Sequence, residues 1–217
     1  MRLLDLFCGR WGWSRSFAAR GWECVGVDIA QPPETPTGCT FVQNSVLAIT
    51  DEWILDWGFD FICASSPCEE FSVHGMPHFH PNPKYPELGI NLFNHTRLLC
   101  EDSQIPYVME NVRAAQKFVG NAAHHCGPFY LWGSGVPPIV PQGIKKGKTF
   151  RGAPGNYMET CPPGFNKKTW RNAWQKDVEV RAGGRKHTAA FAATIPPELA
   201  NCVADYAERL LEAKVPA

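Results

Sequence analysis

The sequence predicts an α/β fold, with a mostly parallel sheet and helices on both of its faces. Short apolar runs recur along the chain, and helical segments alternate with them at the spacing of βαβ units. Each run also ends in small or polar residues, as strands do where ligands bind in open parallel sheets. The predicted strands cover 3–7, 24–29, 59–64 and 106–109, and a further strand restarts at Phe41.

Helices are predicted beside these strands and at the end of the chain. Residues 13–20 have a helical pattern that stops at Gly21, a residue suited to a helix C-terminus, and 92–101 form a second helix. The closing helix, 196–211, starts at a pair of prolines, which favour the first turn. Its apolar residues recur on one face, which predicts that this face packs on the core. They are Leu199, Val203, Tyr206 and Leu210.

The chain is expected to form three segments. A core at 1–132 is followed by a small basic region at 133–187, and 188–217 completes the core. Residues 72–90 are rich in Pro, His and Gly and lack periodicity, so they predict a long mobile loop. Loops of that length are uncommon unless they are functional. Residues 133–168 contain many Gly and Pro and are expected to be irregular.

Composition narrows the class of protein. A hydrophobic content of 44% suffices for one buried core, and no run approaches the ~18 apolar residues of a membrane span. The nine cysteines are scattered without C-x-x-C spacing, which disfavours a disulfide framework and a zinc ribbon. Asp5 interrupts the apolar stretch in the first residues, MRLLDLFCGR, so they are not expected to act as a signal peptide. We therefore expect a cytoplasmic protein with no membrane segment and no bound metal.

Charge is unevenly distributed, although the chain is neutral overall. Residues 1–144 carry 8 Lys and Arg against 14 Asp and Glu, whereas 145–187 carry 11 against 3. Such a cluster suits a polyanion, because neutralising phosphates requires positive charge locally. Trp170 and Trp174 lie among the positive residues and favour nucleic acid, since bases stack on aromatic rings. The alternative is a solvated loop, which charge runs usually form.

The ends of the predicted strands share one edge of the sheet and supply candidate site residues. Gly9 and Gly12 follow the first strand, and Asp28 ends the second. A glycine turn lets a ligand approach the backbone and an acid accepts from ribose hydroxyls, so this pair indicates a nucleoside-bearing ligand. Cys68 and Glu110 follow two later strands. They would place a nucleophilic thiol near a carboxyl group that can donate a proton.

Four segments, in this order, resemble motifs of the cytosine-C5 DNA methyltransferases. They read LLDLFCGRWGWS, SSPCEEFS, VMENV and ATIPPELA, where the family patterns run DLFxGxGGxS, PPCQxFS, ENV and GNxxPxxLA. The resemblance covers about residues 2–112 and 188–211, and the NLFNHTRLLCE segment before VMENV is also similar to the family. It implies a Rossmann-like S-adenosylmethionine-dependent methyltransferase fold, with target recognition in the basic region at 133–187.

The resemblance also implies a reaction. The thiolate of Cys68 would attack carbon 6 of a cytosine while Glu110 protonates ring nitrogen 3, so that carbon 5 can take a methyl group from S-adenosylmethionine. Pro67 would shape the turn that presents the sulfur, and Asn111 would hold the segment behind Glu110. A base stacked in a duplex is out of reach, so the target cytosine of double-stranded DNA would be flipped out, and the loop at 72–90 would close over it.

Binding residues are implied in the same way. Phe7 and Ile29 would contact the adenine of S-adenosylmethionine, and Asp28 would hold its ribose hydroxyls. The implied cofactor-binding residues are Phe7, Gly9, Gly12, Asp28, Ile29 and Ser45. The nucleic-acid contacts are expected at Ser72, Lys167, Lys168, Arg171, Arg181, Arg185 and Lys186.

The chain departs from the family pattern at several positions. Trp11 replaces a glycine, Ser66 replaces the first proline of PPC, and Glu69 replaces the glutamine after the cysteine. Asn44 and Ser45 stand where an acidic residue is expected, and Ala192-Ala193 replaces GN. The family's Q-x-R-x-R strand, which helps to grip the flipped base, is absent; the segment there reads GPFYLWG.

The short region between the ENV motif and the last motif predicts a short or relaxed recognition sequence, because long sites need many base contacts. In this respect the chain resembles the compact methyltransferases of phages and prophages, which act in the cytoplasm of bacterial or infected cells. We expect a monomer. Three alternatives remain open: the same chemistry on RNA, a non-catalytic member that binds nucleic acid or a partner methyltransferase, and an altered transfer with a modified cofactor or pyrimidine.

Overall fold

A computed structural model describes residues 1–68, 70–71, 86–141 and 194–213. Its strands are β1 (Arg2–Leu6), β2 (Glu23–Asp28), β3 (Cys39–Gln43), β4 (Phe61–Ser65), β5 (Tyr107–Asn111), β6 (His124–Cys126) and β7 (Phe129–Trp132). Its helices are α1 (Ser14–Ala18), α2 (Asp51–Trp57), α3 (Glu87–Ser103), α4 (Gln116–Val119) and α5 (Pro197–Glu212). Short 3-10 turns cover Val46–Ala48 and Arg113–Ala115.

The strands form one seven-stranded sheet in the order β3-β2-β1-β4-β5-β7-β6. The first five of these are parallel, and the β6–β7 hairpin adds two antiparallel strands beyond β5. The order reverses direction between β1 and β4, which is where open α/β sheets leave a crevice at the carboxyl ends of their strands. The predicted α/β fold with a mostly parallel sheet is therefore confirmed.

Helices cover both faces of the sheet, as predicted. Helices α1 and α5 pack against each other on one face, whose core includes Leu3, Phe17, Cys63 and Val203. Helices α2, α3 and α4 cover the other face. The sheet interior is apolar on both sides because parallel strands are buried between two layers of helices. No helix within the described ranges has the length and apolar character needed to cross a membrane.

Several element boundaries differ from the prediction. Helix α3 begins at Glu87, so the loop predicted over 72–90 is wrong at 87–90, while 72–85 lie outside the described residues. Helix α1 is shorter than the predicted 13–20, although Gly21 does adopt a left-handed φ of 84°. Helix α2 was not predicted; it is capped by Thr50, whose side chain accepts from the Trp53 N–H.

The closing helix α5 confirms its predicted apolar face in part. Leu199 and Val203 are fully buried, but Tyr206 is only half-buried. Three alanines share the centre of the contact with them: Ala200, Ala204 and Ala207. Small side chains let α5 lie close to α1, so the packing depends on residues that the apolar pattern alone did not select.

Candidate active site at the carboxyl ends of the strands

The start of the Cys68 loop is held by the end of β5. Strands β4 and β5 pair in parallel, with Ser65 opposite Glu110. The next residue, Asn111, is fully buried, and its Nδ2 donates to both the backbone oxygen and the Oγ of Ser66 at 3.0 Å. Its Oδ1 accepts from the Val112 N–H at 2.8 Å, so the amide is oriented at both ends. The Ser66 hydroxyl thus supplies a hydrogen-bond partner that the family's proline would lack.

The other side of the Cys68 loop is held by Glu70, a residue that the sequence analysis did not single out. Its carboxylate accepts from the Gly89 N–H at 2.6 Å, in the first turn of α3. Carboxylates are stabilising there because the first N–H groups of a helix have no partner within the helix. Phe71, which is buried, packs over the bare Cα of Gly89 and against the ring of Phe118. The ring centroids of Phe71 and Phe118 are 6.0 Å apart.

Cys68 therefore lies between two anchored points, and its own side chain is half-buried. Pro67 before it is exposed. Glu110 is only 8% exposed and lies at the end of the neighbouring strand. Since side chains alternate along a strand, Glu110 points to the sheet face opposite to Asn111, the face that carries α1 and α5. A thiol and a buried carboxyl group thus belong to adjacent strand ends.

Trp13, at the start of helix α1, contacts the end of β4 on the same face of the sheet as Glu110. The indole Nε1 of Trp13 donates to the Ser65 Oγ at 3.0 Å, and Ser65 lies directly opposite Glu110. An aromatic side chain therefore lies on the same side of the sheet as Glu110, which is buried. A carboxyl group in such surroundings is screened from water, which suits proton transfer to a ligand.

The loop from β1 to α1 has an unusual backbone. Phe7, Gly9 and Trp11 have φ values of 60°, 46° and 63°, so every second residue is left-handed. For the two residues other than glycine this conformation costs free energy, and such strain concentrates at ligand sites. The Gly9 N–H donates to one carboxylate oxygen of Asp28 at 3.0 Å, and the Ala30 N–H donates to the other at 2.9 Å. The ends of β1 and β2 are thereby joined.

Beside Asp28, the side chain of Ile29 is 71% exposed, as a residue that flanks a planar ligand would be. Gly12 and Ser45 have contacts within the protein. A Cβ on Gly12 would lie 2.9 Å from the Ile195 nitrogen, so its bare Cα admits the segment before α5. The Ser45 Oγ accepts from the Leu47 N–H at 3.3 Å. Contact of any of these residues with a cofactor stays a prediction.

Trp11, the largest departure from the family pattern, is fully buried. Its ring occupies the space above Gly26 of β2, where an added Cβ would lie 2.3 Å from the Trp11 Cζ3. The indole N–H donates to the Glu34 backbone oxygen at 2.9 Å, and the ring meets Phe41 edge-on at 6.3 Å. The indole is therefore part of the core, packed against β2 and β3, and does not project from the loop into solvent.

Below this loop lies Asp5, a buried carboxyl group in the middle of β1. It accepts from the Ser14 hydroxyl at 2.6 Å and from the Ser14 N–H at 3.3 Å, so it holds the start of α1. Burial raises the pKa of Asp5 to about 7; the Ser14 hydrogen bonds oppose the shift and the nearby Asp28 adds to it. In the sequence, Asp5 could be recognised as unusual because it places a charged side chain within an apolar run.

The remaining predicted contacts fall on other parts of the chain. All seven nucleic-acid contacts, from Ser72 to Lys186, lie outside the described residues. His124 and His125 belong to β6. Among the residues with described positions, no three His, Cys, Asp or Glu side chains converge as a metal site would require. Arg97, in the segment before VMENV, donates to the Val119 backbone oxygen and so ties α3 to α4.

Comparison with known proteins does not assign this chain to a family. No protein-family model matches the sequence, and no curated protein matches it. Similar solved structures include the Dnmt2 methyltransferase of S. pombe, which is 14% identical with a TM-score of 0.40 over 55% of this chain and 37% of that one. A DNMT2 variant from Spodoptera frugiperda is 19% identical, with a TM-score of 0.37 over 54% and 37%.

An NAD-dependent NDP-hexosamine 5,6-dehydratase, TunA, is comparably similar, with 20% identity and a TM-score of 0.35 over 50% of this chain and 36% of that one. The chain spans less than half the length of each of these three structures. Methyltransferases and an enzyme that uses a nicotinamide cofactor are thus both among them. At these TM-scores the similarities carry no argument about the reaction.

Proposed function

We propose that this protein transfers a methyl group from S-adenosylmethionine to carbon 5 of cytosine in DNA, with Cys68 as the nucleophile and Glu110 as the acid. One observation carries the proposal: Asn111 donates two hydrogen bonds to Ser66, two residues before Cys68, and so joins the Cys68 loop to the strand that bears Glu110. The two residues that the resemblance makes catalytic therefore belong to a loop and a strand that are held together.

The residues at the ends of β1 and β2 fit a nucleoside cofactor. Asp28 presents a half-exposed carboxylate, held by the N–H groups of Gly9 and Ala30, which has lone pairs left for ribose hydroxyls. Ile29 is exposed beside it and would flank an adenine ring. Because the Trp11 ring is buried in the core, it does not project from the loop toward such a ligand. Bound there, S-adenosylmethionine would supply an electrophilic methyl group on a sulfonium.

The chain's own groups would carry the remaining chemistry. The Cys68 thiolate forms a bond to carbon 6 of the base, and the displaced electron pair reaches ring nitrogen 3, where Glu110 provides a proton. Carbon 5, now part of an enamine, would attack the methyl group, whose bond to the sulfonium sulfur breaks so that S-adenosylhomocysteine leaves. Loss of the proton on carbon 5 to solvent then restores the double bond to carbon 6 and expels the thiolate, while Glu110 takes back the proton from ring nitrogen 3, so Cys68 and Glu110 are both regenerated.

Methyl transfer can be tested with S-adenosylmethionine labelled on its methyl group. The protein is incubated with duplex DNA or with tRNA, and the nucleic acid is digested to nucleosides. We expect label in 5-methyldeoxycytidine, and its loss by at least ~10³-fold in Cys68→Ala, since a covalent nucleophile cannot be bypassed. Cys202→Ala, which removes another half-buried thiol, is the matched control and should keep full activity.

Each outcome has a distinct meaning. Label in tRNA alone would replace DNA by RNA as the substrate, and label that survives Cys68→Ala would refute the mechanism. Absence of label from both nucleic acids would favour a non-catalytic protein. DNA that contains 5-fluorocytosine should form a covalent adduct with the wild-type protein only, because fluorine on carbon 5 prevents the final elimination.

A further inference from the structure

Cys24 and Cys39 lie side by side on adjacent strands, far from the proposed reaction centre. They are direct partners in the parallel pairing of β2 with β3, so both side chains point to the same face of the sheet. That face is covered by α1 and α5, and both thiols pack in its core. Cys24 is buried, whereas Cys39, on the edge strand β3, is half-buried and reachable from solvent.

The Cys24 sulfur lies 3.6 and 3.8 Å from the Ser14 and Trp22 backbone oxygens, to which its thiol can donate. Interaction with the neighbouring Cys24 thiol lowers the pKa of Cys39, against opposing effects of burial and of Asp5, and the Arg15 guanidinium contributes in the same direction. The same interaction and burial raise the pKa of Cys24. The pair is therefore asymmetric, and Cys39 is the thiol that loses its proton more readily.

We propose that Cys24 and Cys39 form a reversible redox pair, in which a hydroperoxide oxidises Cys39 and Cys24 then closes a disulfide between β2 and β3. This arrangement matches the requirements for a thiol that is oxidised reversibly: a reachable thiolate beside a second cysteine that can resolve the first product. The proposal does not depend on methyl transfer.

The reaction balances with hydrogen peroxide as the oxidant. The Cys39 thiolate attacks one peroxide oxygen, the O–O bond breaks, and hydroxide leaves and is protonated to water. The product is a sulfenic acid on Cys39. The Cys24 sulfur then attacks the Cys39 sulfur; the S–S bond forms, the S–O bond breaks, and a second water leaves with the Cys24 proton. Two thiols lose two electrons in total, and one peroxide is reduced to two waters.

Strand geometry permits this disulfide. Paired residues on neighbouring strands are separated by the strand spacing of ~4.8 Å, which is within the usual Cα range for a disulfide. The bond can therefore form while β2 and β3 stay paired.

The experiment uses the whole 217-residue chain in its reduced state. It is treated with increasing hydrogen peroxide, the remaining thiols are blocked with N-ethylmaleimide, and the chain is cleaved after glutamate. Cleavage at Glu23, Glu34 and Glu52 separates the two cysteines into the peptides 24–34 and 35–52, each with one cysteine. We expect these peptides to appear joined, with both blocking groups lost together, and to separate again after treatment with dithiothreitol.

Three variants complete the test. Cys24→Ser should leave Cys39 as a sulfenic acid that dimedone traps, and Cys39→Ser should abolish the joined peptides. Cys202→Ser is the matched control, because Cys202 is also half-buried but its thiol donates to the Ile139 backbone oxygen; it should leave the joined peptides unchanged. The proposal is overturned if wild-type Cys24 and Cys39 both remain blocked at peroxide concentrations that oxidise Cys202. That outcome needs no variant, so a folding defect cannot obscure it.

Discussion

The loops after β4 and β5 and the loops after β1 and β2, which are neighbours at the carboxyl ends of the strands, are held in different ways. At β4 and β5, side-chain hydrogen bonds hold the loop: Asn111 binds Ser66 on one side of Cys68, and Glu70 binds the Gly89 N–H on the other. At β1 and β2, the backbone itself is shaped by alternating left-handed residues, and the buried ring of Trp11 supports it. The loops after β4 and β5 therefore depend on polar contacts, and those after β1 and β2 depend on packing.

This difference explains how the chain tolerates its departures from the methyltransferase pattern. Ser66 replaces a proline, and its hydroxyl is bound by a buried amide. Trp11 replaces a glycine, and Gly26 supplies the space that its ring requires. Each departure is thus matched by a contact elsewhere in the chain. Because burial of a large ring contributes more free energy than one neutral hydrogen bond, packing changes should have the larger effects on stability.

The largest effect is expected for Trp11→Ala. Removal of a fully buried Trp should lower the free energy of unfolding by about 3–5 kcal/mol, as measured by urea denaturation. Gly26→Ala alone should also destabilise, by about 1–3 kcal/mol, because its Cβ overlaps the Trp11 ring. In the Trp11→Ala background, Gly26→Ala should cost less, with a remaining cost because its Cβ would also lie 2.8 Å from the Cys8 Cβ. Additive effects of the two substitutions would show that the ring does not depend on Gly26.

The pH dependence of stability should reveal Asp5. Its folded pKa of about 7 exceeds the unfolded value of 3.8, so the folded state holds a proton that the unfolded state releases. The resulting stability is complete below pH 3.8 and is lost as pH rises through about 7, with a total of at most about 4 kcal/mol. Asp5→Asn, which can still accept from Ser14, should flatten this slope in denaturation curves. The exposed control Asp56→Asn should leave the slope unchanged.

Asn111→Ala tests the first anchor of the Cys68 loop. It leaves the Ser66 oxygens without their donor and should lower the free energy of unfolding by about 1–3 kcal/mol. If Cys68 is the nucleophile, kcat for methyl transfer should fall while KM changes little. Asn111→Asp keeps the oxygen that accepts from Val112 but cannot donate to Ser66, so it should lose as much. Full activity in both variants would refute a positioning role.

The smallest effect is expected for Glu70→Ala, which removes the acceptor at the start of α3. Loss of such a cap costs about 0.5–2 kcal/mol, and thermal unfolding would measure it. Glu70→Gln keeps an acceptor without the charge and should recover part of the loss. Glu87→Ala, an exposed acid in the same turn, is the control and should cost less. If Glu70→Ala destabilised the protein more than Trp11→Ala, the contrast between the Cys68 loop, held by polar contacts, and the β1–α1 loop, held by packing, would be wrong.

Local pattern was sufficient for most of the sheet. The five parallel strands were predicted because strands buried on both faces must be continuous apolar runs. The start of α3 was missed because its cap, Glu70, comes from nineteen residues earlier in the chain and obeys no local spacing rule. Strand β7 was missed because FYLW is short and lacks the pattern expected at that place. Of the candidate site, Cys68, Glu110 and Asp28 were readable from motifs, whereas the partner of Asn111 was not.

The sequence alone therefore determined which residues end the strands and which of them have side chains that can bind a ligand or take part in a reaction. Only the tertiary structure decided which residues meet: the Trp11 ring over Gly26, the Asn111 amide on Ser66, and Cys24 beside Cys39. The physical reason is that apolar periodicity is a property of consecutive residues, whereas these contacts depend on which strands pair and in which register. Strand register joins residues that no local pattern relates.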